Sequence, residues 1–150
     1  MPAERAARGP AGLIVVAHTK FPVEVLTPEG EVFNEEVEMI STHTALGSIG
    51  ILANHEPVLA LLEPTELRLY RSESEVVRLA QAEGYLQFAE NRALLLVEEA
   101  IAPEELDRAT LETRLRDARS SLEQAEEGSE REARARRDIR RYEAFLAVGQ

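Results

Sequence analysis

The spacing of apolar residues changes period once along this chain, at Ala102, and that change fixes the fold class. Between Phe21 and Val97 the apolar runs are short and rich in valine, isoleucine and leucine, with turn signals every 8 to 12 residues. Such runs predict strands near 23–26, 32–40, 49–52, 58–62, 66–70, 76–80, 85–88 and 93–97. With no helical period between them, they make an antiparallel all-β sandwich or barrel. Thr27-Pro28-Glu29-Gly30 is a turn with proline at its second position. Glu90-Asn91 suits a tight hairpin, because asparagine tolerates positive φ. Gly47-Ser48-Ile49-Gly50 lacks the lysine and hydroxyl residue of a phosphate loop and reads as a further hairpin turn.

Beyond Ala102 the period is helical. Leu111, Leu115, Ala118, Leu122 and Ala125 form one apolar stripe, and Ala135, Ile139, Tyr142 and Leu146 a second. Pro103 fits a first helical position. Gly128 closes the first helix and Ser129 caps the next, with Glu132 completing a capping box. Two helices with narrow stripes and a tight connection predict an antiparallel hairpin. The expected organisation is a disordered extension over 1–19, a β sandwich over 20–102 and a helical hairpin over 103–150. Val16 is an alternative start point within the extension, which intact-mass measurement on native protein decides.

Charge divides the chain differently. Residues 20–102 hold fifteen acids against five bases, whereas 128–150 hold four acids against six bases in a total of −11. The acidic balance argues against nucleic acid as a partner. The basic cluster Arg131, Arg134, Arg136, Arg137, Arg140 and Arg141 is either a solvated helix face or a docking face for an acidic partner, because arginine forks pair bidentately with carboxylates. Arg136/Arg140 and Arg137/Arg141 are like charges four apart, mildly repulsive in isolation, which calls for counter-charges elsewhere.

No catalytic constellation stands out. Ser41, Ser48, His43 and His55 lack a nucleophile elbow, and His18, His43 and His55 are too dispersed for a metal set. With no cysteine there is neither a disulfide nor a thiolate metal site. No apolar run approaches the ~20 residues of a membrane span. Neither a cofactor nor a metal is expected.

The ordered segments Leu26–Phe33, Gly47–Leu59, Ala82–Leu86 and Asn91–Ala100, with Pro103-Glu104-Glu105-Leu106-Asp107 after them, resemble the epsilon subunit of rotary proton-translocating ATP synthases over about residues 21–148. The departures are Ala53-Asn54 where the family has Pro-Gly, Pro64-Thr65 in place of a turn glycine, and Glu83 in place of the first glycine of a pair. ATP-binding members carry [IL]-D-x-x-R-A at the first helix. Here Leu106 and Asp107 match, Thr110 and Leu111 do not, and Arg141 matches a second-helix arginine whose companion position holds Phe145. The resemblance therefore implies weak or absent ATP binding.

It further implies a non-catalytic central-stalk rotor subunit at the cytoplasmic face of the cell membrane, peripheral through its complex. Its sandwich would join the gamma subunit to the rotor ring through Thr27, Leu46, Gly47, Ser48 and His55. Its hairpin would be permissive when folded on the sandwich. Extended, it would set the arginine-rich helix against acidic segments of the catalytic subunits and slow ATP hydrolysis. The alternative is a free-standing β-sandwich binding module with a helical association hairpin; an enzyme ranks third.

Overall fold

A computed structural model describes residues 5–8 and 14–150 of the chain, with side chains from His18 onward. Twelve strands are described, followed by two helices. Strands β1 (Arg5–Arg8) and β2 (Ile14–Ala17) pair antiparallel as a separate two-stranded ribbon. The extension expected to be disordered over 1–19 contains that ribbon, while 1–4 and 9–13 lie outside the described residues.

The main body contains β3 (Phe21–Thr27), β4 (Gly30–Val37), β5 (Met39–Thr44), β6 (Gly47–Leu52), β7 (Val58–Leu62), β8 (Thr65–Tyr70), β9 (Val76–Gln81), β10 (Gly84–Ala89), β11 (Arg92–Val97) and β12 (Ala100–Ile101). Pairing sorts them into two five-stranded layers. One runs β4-β3-β11-β10-β7 and the other β6-β5-β8-β9-β12, and the ladder pair of Thr44 with Leu62 joins the layers at a corner. All pairings are antiparallel except β3 with β11. That exception arises because the domain's first and last long strands meet side by side after the chain has wound through the other layer.

Alternation along the strands points one residue set inward. Phe21, Val23, Val25, Ile40, Ile51, Leu67, Leu69, Leu86, Phe88 and Leu95 are essentially fully buried between the layers. The Phe21 and Phe88 rings meet edge to face with centroids 5.5 Å apart. Gln81 is the large polar residue inside, and both ends of its amide are satisfied. It accepts from Thr42 Oγ1 at 2.7 Å and donates to the Glu63 carbonyl at 2.9 Å.

Three sequence expectations need correction. The strand expected over 32–40 breaks at Glu38, so β4 and β5 are separate. Gly47-Ser48-Ile49-Gly50 is not a turn but the start of β6; the turn lies just before it, at Ala45-Leu46. The first helix starts at Arg108, not Pro103, because Pro103–Glu105 forms only a short 3-10 turn. The tight turn at Glu90-Asn91 is as expected, with φ of 51° and 58°.

Helix α1 spans Arg108–Gln124 and α2 Glu130–Val148. Asp107 caps α1 by accepting from the Thr110 amide, and Ser129 caps α2 by accepting from the Glu132 amide at 3.1 Å. Leu111, Leu115 and Ala118 of α1 and Ala135 of α2 are buried along the two helices. The far end of the hairpin packs on the sandwich, where Phe145, Val148 and Leu111 form a second apolar cluster with Ala80 and Ala82 of the β9 segment. The two alanines leave room for the Phe145 ring, which is 1% exposed.

Candidate functional site

The outer face of the first layer is where the chain departs from a solvated surface. On an antiparallel layer with one wet side, outward residues are usually polar. Here Leu61 of β7 stands opposite Tyr85 of β10, Tyr85 opposite Leu96 of β11, and Leu96 beside Leu26 of β3. Four apolar residues thus form one row across four strands, with Leu61, Tyr85 and Leu96 each about half exposed. Leu59, 72% exposed, extends the patch along β7.

The row continues to the β5–β6 turn. The Ala45 amide donates to the Leu61 carbonyl at 3.0 Å, holding the turn against β7, and Leu46 at its tip is wholly exposed. A shallow cavity of about 550 Å3 lies between this turn and β7. The turn itself is rigid. Thr44 Oγ1 donates to the Gly47 carbonyl and accepts from the Leu46 amide. The β3–β4 turn is closed in the same way, by Thr27 Oγ1 donating to the Gly30 carbonyl and accepting from the Glu29 amide. Gly30 and Gly47 sit at φ of 128° and 126°, which disfavours any side chain there. Two T-x-x-G segments therefore build two matching turns.

The five residues expected at a rotor contact do not converge on one spot. Leu46 is at the tip of the β5–β6 turn, and Gly47 and Ser48 open β6 directly after it. Thr27 ends β3, the strand beside Leu96 in the exposed row. His55 lies beyond the opposite end of β7, where its ring meets Phe88 edge to face at 5.8 Å. There Asn54, at φ 65°, donates its amide to Asn91 Oδ1 at 2.7 Å and ties the loop to the β10–β11 turn. His43 Nδ1 and Ser48 Oγ lie 3.2 Å apart, but β5–β6 register alone puts them opposite each other on an exposed face. Among the described residues, no group of three or more His, Asp or Glu is placed to hold a metal, and no helix is long and apolar enough to cross a membrane.

The arginine cluster divides. Arg131 donates to Ser121 Oγ and Gln124 Oε1 of α1, and Arg136 lies 3.9 Å from Glu132. Arg134, Arg136, Arg137 and Arg140 are exposed on α2. Arg141 turns the other way, toward the sandwich, where its guanidinium binds Glu83 through Nε and Nη2 and Glu99 through Nη1 at 3.0 Å. Burial works against that charge, yet the hydrogen bond and charge of Glu83, with Glu99 beside it, hold the Arg141 pKa above its ordinary value.

The three residues that match an ATP-binding pattern each have another task. Leu106 packs on the Phe145 cluster, Asp107 caps α1, and Arg141 is held by two carboxylates. Thr110, where the pattern asks for arginine, donates its hydroxyl to Asp107.

Sequence reasoning missed Leu59, Leu61, Tyr85 and Leu96 as a surface. The signal was present: Val58–Leu62 and Arg92–Val97 are apolar at both phases of the strand period, which a half-solvated strand has no reason to be.

Comparison with known proteins supplies a context. Residues 20–103 match the family model described as ATP synthase, Delta/Epsilon chain, beta-sandwich domain. The ATP synthase epsilon chain of Persephonella marina is 37% identical over 123 residues, covering 82% of this chain and 86% of that one. The ATP synthase epsilon chain of Herpetosiphon aurantiacus is 35% identical over 131 residues, covering 85% and 93%. Among solved structures, a chain of the Euglena gracilis mitochondrial ATP synthase superposes with a TM-score of 0.76 at 18% identity, covering 100% of this chain and 91% of that one. A chain from the central stalk and c-ring structure of the Tetrahymena thermophila mitochondrial ATP synthase gives 0.58 at 19% identity, covering 89% and 98%.

Proposed function

The chain belongs to the family of ATP synthase delta and epsilon chains, and from that premise we propose that it is a non-catalytic rotor subunit of the central stalk. In this reading residues 20–102 couple a gamma-type subunit to the membrane rotor ring, and residues 103–150 act as a movable brake on ATP hydrolysis. The observation that carries it is the exposed apolar row Leu61–Tyr85–Leu96–Leu26 on a two-layered ten-stranded body. A contiguous apolar face needs a partner to cover it. A sandwich whose layers are joined at a corner transmits torque without shearing, which suits a joint between two rotating parts.

The row is the proposed seat of the gamma-type subunit, and Leu46 of the β5–β6 turn with Gly47 and Ser48 at the start of β6 the contact with the rotor ring. Thr27, at the β3 end of the row, and His55, beyond the far end of β7, stand outside that contact. The complex places the chain at the cytoplasmic face of the cell membrane, held there only through its partners. On α2, Arg134, Arg136, Arg137 and Arg140 face solvent and are available to acidic segments of the catalytic subunits once the hairpin extends. ATP binds weakly or not at all, since Arg141 is committed to Glu83 and Glu99, and Phe145 fills the docking cluster.

The deciding experiment is reconstitution of the complex with the full chain and with a chain ending at residue 102. The truncated chain is expected to assemble with the gamma-type subunit and to raise ATP hydrolysis. Loss of assembly would refute the sandwich as the coupling unit, and unchanged hydrolysis would refute the brake.

A further inference from the structure

We infer that Arg141, Glu83 and Glu99 form a salt-sensitive latch that keeps the helical hairpin on the sandwich, and that the hairpin is freed when an acidic partner segment takes Arg141 from them. The inference rests on the reading above that the hairpin moves, and adds what holds it.

Backbone pairing prepares the carboxylates. The Ala82 amide donates to the Glu99 carbonyl at 2.9 Å and the Glu98 amide to the Glu83 carbonyl at 3.0 Å, so Glu83 and Glu99 emerge side by side from adjoining segments. Both reach one guanidinium whose side chain is only 17% exposed. With the hairpin away, the two carboxylates would face each other without a cation, and that repulsion favours the docked state. The apolar part of the docking site has five buried residues, two of them alanines, with Ile101, Leu106, Tyr142 and Leu146 packed against them partly buried. The charged contact adds to this apolar one and is the part of it that salt and competing carboxylates can reach.

The same arrangement makes the latch competitive. Next to Arg141 and Glu99 lies an open cavity of about 570 Å3, bordered also by Thr27, Glu31 and Glu98. Salt screens charges over about 10 Å at 0.1 M. Arg137, one turn before Arg141, is exposed and carries the like charge that the docked arginine alone has neutralised. An incoming carboxylate segment that pairs with Arg137 and Arg140 arrives within one helical turn of Arg141 and offers it an alternative partner.

The test uses the full chain in isolation. It contains no cysteine, so paired spin labels at Ser74→Cys on the sandwich and Ala147→Cys on α2 report the hairpin position alone; both sites are exposed. At low salt one narrow distance is expected, broadening toward 1 M salt. Arg141→Gln and, separately, the near-isosteric Glu83→Gln are expected to reduce the docked fraction relative to the released one by roughly tenfold. The exchanged pair Arg141→Glu with Glu83→Arg is expected to recover part of that loss. A narrow distance in Glu83→Gln at every salt concentration, in a chain that keeps its β circular dichroism, would overturn the latch. Release of the hairpin with unchanged ATP hydrolysis in the assembled complex would leave the latch standing and remove the brake.

Discussion

Tyr85 stands directly opposite Leu61 on the outer face of the first layer, each side chain about half exposed in the isolated chain. An aromatic residue at the centre of an apolar row is the usual energetic anchor of a protein interface. Tyr85→Asp is therefore expected to weaken binding to the gamma-type subunit by about 2 kcal/mol or more, roughly thirtyfold. Because the side chain is already wet, the melting temperature of the free chain should change little. Titration of wild type and variant against purified gamma-type subunit measures the first, and calorimetry the second. Equal affinities would move the interface off this face.

The row begins at one glycine. Gly84 opens β10, and a Cβ added there would lie 2.0 Å from the Leu96 carbonyl oxygen. The distance is to backbone, so no rotamer change relieves it. Gly84→Ala must open the β10–β11 ladder at its Gly84–Val97 end, where Tyr85 and Leu96 are presented. The expected outcome is a large loss of thermal stability, of the kind exceeding about 4 kcal/mol that only such mechanisms produce. Denaturant unfolding checks it, and a chain as stable as wild type would contradict the packing.

Most of the strand content was legible because valine, isoleucine and leucine runs were cut by Thr-Pro-Glu-Gly and Glu-Asn turns. The β5–β6 hairpin is less so, because Gly47 reads as the opening residue of a turn and in the structure closes one. The T-x-x-G spacing of Thr27–Gly30, repeated at Thr44–Gly47, carried the information. Likewise Pro103-Glu104-Glu105 looks like a helix start, but Asp107 is the better cap, since its carboxylate reaches both the amide and the hydroxyl of Thr110. Arg137/Arg141 repulsion announced a counter-charge, yet nothing local indicates that Glu83 and Glu99, 58 and 42 residues away, supply it. Long-range pairings of that kind depend on the folded sandwich and are invisible to periodicity.

Acid should act on the outer face of the second layer. Glu66 accepts hydrogen bonds from Arg78 and from Arg68, the latter at 3.0 Å. The Arg78 bond, opposed by partial burial and helped by Arg68, holds the Glu66 carboxyl below its ordinary value of 4.5. A carboxyl with a lowered folded-state pKa contributes stability that is complete above its unfolded value and disappears as pH falls through the folded one. Wild type should therefore be more stable than Glu66→Gln at pH 7, with the gap closing below about pH 4.5. Melting curves of both chains across pH 2 to 7 check this, and a gap that persists at the acid end would assign it to packing instead of charge.

Phe145 ties the hairpin to the sandwich through apolar contacts, which salt does not screen. Its ring is 1% exposed in the cluster with Ala80, Ala82, Leu111 and Val148. Truncating a buried phenylalanine to alanine costs about 3–5 kcal/mol where the cavity does not collapse. Here the cavity would open at the seam between sandwich and hairpin, while the contacts of Leu115, Ala118 and Ala135 along the helices stay in place. Phe145→Ala should accordingly leave the β ladders and the α1–α2 pairing intact and separate the two. Most helical stability in a protein comes from tertiary packing, and a hairpin parted from the sandwich keeps only the α1–α2 share of it. The 222 nm signal should therefore melt several degrees below the sandwich instead of together with it. Thermal scans that follow helix and sheet signals separately measure the difference. Coincident transitions in the variant would mean that Phe145 is not what couples the hairpin to the β body.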